Sequence, residues 1–271
     1  LKWFLFENTF DITYANNGCV PMELLQAEWK LCLPSWPPLC IVEANSSHSG
    51  LPHWRSRVFL YAEDPGMSSF LGPPSWSIRK VPSPSIARFL PVANSYTASP
   101  NTQQCSNLAF WLNAFKSHTS AVSGIEQQST AGVVDVNRDP VNGIYNISMR
   151  INCCPPLLTS STNMVVFRRE GGIVLPSLLS IQDKCKLCGI NFYTFGLGGS
   201  WAHRAIGESI PIPMAGLALE AIFHRWSRFV CLRDGVPLPF HLTTICIDDS
   251  PEEPPVSFTT LSNVRARLHL Q

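Results

Sequence analysis

Cys185 and Cys188 stand in Cys185-Lys186-Leu187-Cys188, with Cys153-Cys154 upstream. A Cys-x-x-Cys turn aims both thiolates to one side and can hold two tetrahedral positions on zinc. A closed site needs a second such pair. Adjacent cysteines on a strand point to opposite faces instead, so buried free thiols are the simpler expectation and no metal is assigned. Gly196-Leu197-Gly198-Gly199-Ser200 lacks the lysine of a phosphate loop and misses the Gly-x-Ser-x-Gly elbow, so it reads as a turn. His203-Arg204 and His224-Arg225 have no carboxylate at a fixed offset and read as surface polar residues. Asp248-Asp249 and Glu252-Glu253 form an acidic run broken by Pro251, Pro254 and Pro255. A hard cation needs several oxygens converging in space, so Asp248–Glu253 reads as a solvated loop. No catalytic residue and no cofactor are expected.

The composition narrows the class. Charged residues are 14% of the 271, hydrophobic residues 45%, and there are 23 prolines. That is too apolar for a disordered chain. The net charge of +1 gives no concentrated basic patch for tight nucleic-acid binding. So few charges imply a surface covered by partners. No run reads as long and apolar enough to span a bilayer. The ten cysteines read as reduced thiols, while the sequons at Asn45 and Asn146 keep open a secreted binding domain with disulfides and glycans.

The elements that would position these residues read as follows. Residues 1–56 form an N-terminal arm with loops, and 57–271 a β domain. Prolines at 34, 37, 38, 73, 74, 82 and 84 leave only short strands, Arg57–Ala62 and Ile86–Val92. Ser106 caps a helix over Asn107–Lys116, and a second helix runs over Met214–Phe229 with an apolar stripe. Gly132–Val136 and the alternating Ile144–Ile151 flank a turn and should pair antiparallel. Met164–Phe167, Ile173–Leu179, Ile190–Phe195, Phe240–Ile247, Val256–Leu261 and Val264–Leu270 continue as strands. The whole predicts a mainly β fold, an antiparallel sandwich of jelly-roll type with long loops and two short helices. Trp36, Trp54 and Trp76, in Pro/Ser-rich loops, and Trp3, Phe4 and Phe6, in an apolar arm, are the candidate interface residues.

Four features carry a resemblance to the coat proteins of picorna-like viruses. The chain ends in Leu270-Gln271, similar to sites cut by polyprotein proteases, and it begins at Leu1 without Met. Short strands alternate with Pro/Ser/Thr-rich loops. Ile210-Pro211-Ile212-Pro213 leads through a helix to Arg225-Trp226 and a turn at Asp234-Gly235. The resemblance implies an icosahedral capsid subunit without enzymatic activity, released from a polyprotein with Leu1 and Gln271 as processed termini. Its partners would be other capsid subunits, with a weak contact to genomic RNA, in the virion and in the host cytoplasm during assembly. Two alternatives stay open beside it: the secreted β-sandwich binding domain, and a hydrolase using Ser200 or a cysteine with a distant histidine.

Overall fold

The computed structural model describes residues 3–15, 20–74, 76–90, 101–120, 130–138, 140, 149–170, 173–191 and 200–237. They belong to the first of two compact units, Leu1–Leu238; the second, Pro239–Gln271, lies outside the described residues.

The first sheet has the order β1–β3–β2, with β1 at Trp3–Thr9, β2 at Cys40–Asn45 and β3 at Ser56–Glu63, and both pairings are antiparallel. β1 and β2 thus come from the segment expected to be an arm. The side chains of β3 alternate between two covered faces. Val58, Leu60 and Ala62 meet Met22 of helix α1 (Pro21–Cys32), while Phe59 and Tyr61 meet Met214, Ala218 and Ile222 of helix α7 (Ile212–Asp234). Each fully buried large side chain here contributes roughly 1.5–3 kcal/mol. That is why Val-Phe-Leu-Tyr-Ala is apolar throughout rather than alternating.

The second sheet has the order β5–β4–β6–β7, built from β4 (Ala131–Asp135), β5 (Arg150–Ile151), β6 (Met164–Glu170) and β7 (Ile173–Leu178). Its two faces are also covered by helices. Val133, Met164 and Val166 pack in one core with Ile86 of α3 (Ile86–Phe89), Cys185 and Leu187 of α5 (Ile181–Leu187) and Ile206 of α6 (Ser200–Glu208). Val134, Val165 and Phe167 pack against Trp111 and Phe115 of α4 (Thr102–Ser120). Gly132 is required here: a Cβ would stand 2.7 Å from the Phe115 ring. A further short helix, α2 (Pro65–Leu71), follows β3, capped by Asp64, whose carboxylate accepts from the Gly66 N–H at 2.8 Å.

The jelly-roll sandwich is therefore corrected. In a sandwich two sheets cover each other. Here helices pack on both faces of each sheet. Asn107–Lys116 lies within the 19-residue α4, and Met214–Phe229 within the 23-residue α7. Ile86–Val92, expected as a strand, opens as helix α3 because Ser85 accepts from the Ala87 N–H and caps it. The expected β4 pairing is found over two residues, Gly132 opposite Ile151 and Val133 opposite Arg150. The strand expected at Ile190–Phe195 does not begin at Ile190 or Asn191, and the rest of it, with residues 141–148 and 240–270, lies outside the described residues. Helix-forming sequence long and apolar enough to cross a membrane is present at Trp201–Asp234, by length and composition, contrary to the expectation that no such run exists.

Candidate functional site

A buried ion pair joins α7 to the first sheet. Glu63, at the end of β3, is fully buried. Arg225 Nε and Nη2 donate to its two oxygens at 2.6 and 2.5 Å, Tyr61 Oη donates at 2.8 Å and Ser68 Oγ at 2.9 Å. Burial pushes this carboxyl up, but the bonds from Arg225, Tyr61 and Ser68 outweigh it and hold Glu63 below its ordinary range. Arg225 also donates to the Gly72 carbonyl at 2.7 Å, which fixes the end of α2. With every carboxylate oxygen occupied, this is a structural clamp and offers no general base. Arg225 was expected on a helix surface; nothing in its local sequence shows the buried partner in β3.

A second polar group sits where the two sheets meet. His53 is buried and forms a parallel bridge with Cys154. The Leu157 N–H donates to its Nε2 at 3.4 Å, while Nδ1 has no bonded partner among the described residues. Burial, and then the charges of Arg55 and Arg57, pushes His53 down to about 3. The Leu187 carbonyl offsets this slightly without reaching Nδ1 in bonding geometry. Arg55 spans the junction, donating to the carbonyls of Leu157 at 2.7 Å and Gly207 at 2.5 Å.

Lys184 of α5 is the third. Its ammonium donates to the carbonyls of Ser161 at 2.7 Å and Thr162 at 2.9 Å and lies 3.3 Å from His203 Nδ1. A charged ammonium only donates, so Nδ1 accepts and the imidazole is neutral. Burial lowers Lys184 to about 8, and burial together with Lys184 lowers His203. Such a pair could move a proton near neutral pH. At 1% exposure, however, Lys184 presents no nucleophile to a substrate.

The thiols follow the same pattern. Cys154, Cys185 and Cys188 join one apolar core, and burial raises all three, Cys188 to about 11. Cys153 points away toward Arg150 and is also pushed up to about 11. Among the described residues no three His, Cys, Asp or Glu side chains are placed to hold a metal. Asn45, which the secreted reading would glycosylate, is buried, and its amide donates to Ser56 Oγ at 2.9 Å. Gly196–Gly199, Asp248–Glu253, Leu1 and Gln271 lie outside the described residues.

The candidate interface aromatics divide. Trp76 is core, packed on Phe59 and Tyr61. Trp54 lies beneath Arg150, whose guanidinium carbon is 4.2 Å from the ring centre. Phe4 packs on Trp29, and Phe6 is exposed. Trp3 meets Phe223 edge-on at 6.2 Å. Phe223, expected on the apolar stripe of this helix with Leu219, Ile222, Trp226 and Phe229, leads to a further surface. The inner face of α7 is buried, yet Ile212, Gly216, Leu219, Phe223, Ser227 and Val230 recur at helical spacing along its outer face, with Ile212 49% and Phe223 52% exposed. A helix apolar on both sides is normally covered on both. The second surface feature is a cleft of about 630 Å³ between residues 35–40 and α2 with its following loop, Trp36 among its walls.

No family model and no curated protein matches the chain. Among solved structures it is similar to an E. coli protein titled "putative DNA modification methyltransferase encoded within prophage", with 14% identity and a TM-score of 0.42 over 83% of this chain and 69% of that one. At that level the likeness supports no conclusion about chemistry here. The helix-covered sheets by themselves remove the jelly roll on which the coat resemblance stood. The passage from Ile210 to Gly235 that carried the resemblance is a single long helix clamped to a sheet, ended by Gly235 at φ +68°. The expected capsid function, its polyprotein origin and its non-enzymatic character are withdrawn with that fold.

Proposed function

We propose that the chain acts as a self-associating subunit, pairing with a second copy through the outer face of α7. The observation that carries this is the stripe from Ile212 to Val230, exposed at Ile212, Gly216 and Phe223 and half-buried at Leu219, Ser227 and Val230, on a helix whose inner face is already packed. The stripe suits a two-fold antiparallel pairing centred on Phe223. Gly216 and Val230 lie seven positions to either side, so each would oppose the other across the dyad. A Cβ placed at Gly216 meets nothing within 4 Å, so the space over it is open to the partner subunit's Val230. The flanking charge does not oppose this, since Glu220 is already paired with Arg79 at 3.3 Å. Trp3, beside Phe223, extends the same patch onto β1.

Sedimentation velocity on the full chain over a concentration series tests the reading. A dimer is expected, lost in Phe223→Arg with the circular dichroism spectrum unchanged. A monomer at the highest soluble concentration overturns it. So does flotation of the chain with neutral phospholipid vesicles that Phe223→Arg abolishes, because the stripe would then meet lipid.

A further inference from the structure

We infer that the cleft between residues 35–40 and α2 binds a neutral aromatic molecule. Its volume of about 630 Å³ suits a small ligand, since such sites usually span roughly 300–1,000 Å³. Both walls are fixed by bonds that do not depend on a ligand. On one side, the Trp29 indole donates to the Pro37 carbonyl at 3.1 Å and Trp29 meets Trp36 edge-on at 5.8 Å. On the other, Ser68 is tied to Glu63, and Arg225 holds Gly72 just before Pro73. Pro37, Pro38, Pro65, Pro73 and Pro74 contribute lining with fixed φ, so little order is lost on binding.

The lining chemistry selects the ligand class. No charged side chain lines the cleft. The five prolines have no N–H, and of the three lining serines Ser68 and Ser69 commit their hydroxyl protons to Glu63 and to the Pro65 carbonyl, which leaves Ser35 as the remaining lining hydroxyl. An anion would enter with few donors to replace its water, and a cation would find no carboxylate. The proline rings and the Trp36 side chain among the lining favour a flat aromatic body instead.

The test is saturation-transfer NMR on the full chain with three probes of similar size: acetophenone, benzoate and benzylammonium. Acetophenone should bind at least about tenfold more tightly than either ion, a factor worth about 1.4 kcal/mol. Ser69→Phe, which places a ring among the lining of an exposed helix turn, should abolish that binding without changing the fold. Trp36→Ala, which removes the aromatic side chain from the lining, should weaken it several-fold. Equal binding of all three probes, or acetophenone binding that survives Ser69→Phe, overturns the assignment. The readout is independent of dimerisation, because Phe223→Arg should leave it unchanged.

Discussion

Arg225 of α7 holds both oxygens of the buried Glu63 carboxylate at the end of β3, 162 residues earlier in the chain. The pair decides how α7 docks. If Arg225 were one turn out of place, Glu63 would be a buried uncompensated charge, which costs several kcal/mol.

Removing either partner should therefore be severe. Arg225→Met should lower stability by about 3–5 kcal/mol. Replacing both groups together, as Glu63→Leu with Arg225→Met, should recover most of that loss. Urea denaturation of the two single variants and the double variant measures the coupling; additive losses would show that the pair does not act as a unit.

His53 makes the fold acid-sensitive. Its native pKa, lowered to about 3, lies below the ordinary 6.5. Between those values the unfolded chain binds a proton that the native state does not, so stability falls as pH drops from about 6.5 toward 3. The full difference approaches about 5 kcal/mol. His53→Gln should flatten this slope in denaturation midpoints recorded across that range.

Lys184 acts in the same sense at the alkaline end. Its native value of about 8 lies below the ordinary 10.5, so the native state loses its proton first. Stability should rise from pH 8 to about 10.5, with the lysine's contribution unfavourable below that window. Lys184→Met should remove the rise.

Two helical glycines should respond oppositely to alanine. At Gly207 a Cβ would run into the backbone of Leu158 and Thr159, so Gly207→Ala should destabilise and loosen the Arg55 contact to the Gly207 carbonyl. At Gly216 the space is open, and alanine should raise monomer stability by up to about 1 kcal/mol through helix propensity. Thermal melts at low concentration separate the two.

Much of the local structure was legible. Arg57–Ala62 and Met164–Phe167 are strand, as is the expected Ile173–Leu179 up to Leu178, and both expected helices form, because apolar period and run length are local properties. What covers each strand was not legible. Val58 and Phe59 point to opposite faces in any sheet, and the sequence does not say whether a helix or another sheet lies beyond. Prolines hid the helices of the first hundred residues, yet Pro65 begins one, where its missing N–H costs nothing. Trp76 was mistaken for an interface anchor because a loop tryptophan has no period to betray its burial. The surface sites were the least legible. The α7 stripe becomes visible only once its opposite face is known to be packed, and the cleft is assembled from segments that sequence keeps apart.

The distance between β3 and α7 along the chain has a consequence during synthesis. When β3 leaves the ribosome, the face bearing Phe59 and Tyr61 has no cover, and Glu63 has no counter-charge until Arg225 follows. At roughly 5–20 residues per second, those 162 residues take about 10–30 s. For that interval the nascent chain leaves the Phe59–Tyr61 face of β3 bare beside a carboxylate without its counter-charge, while α1 is already made to cover the opposite face.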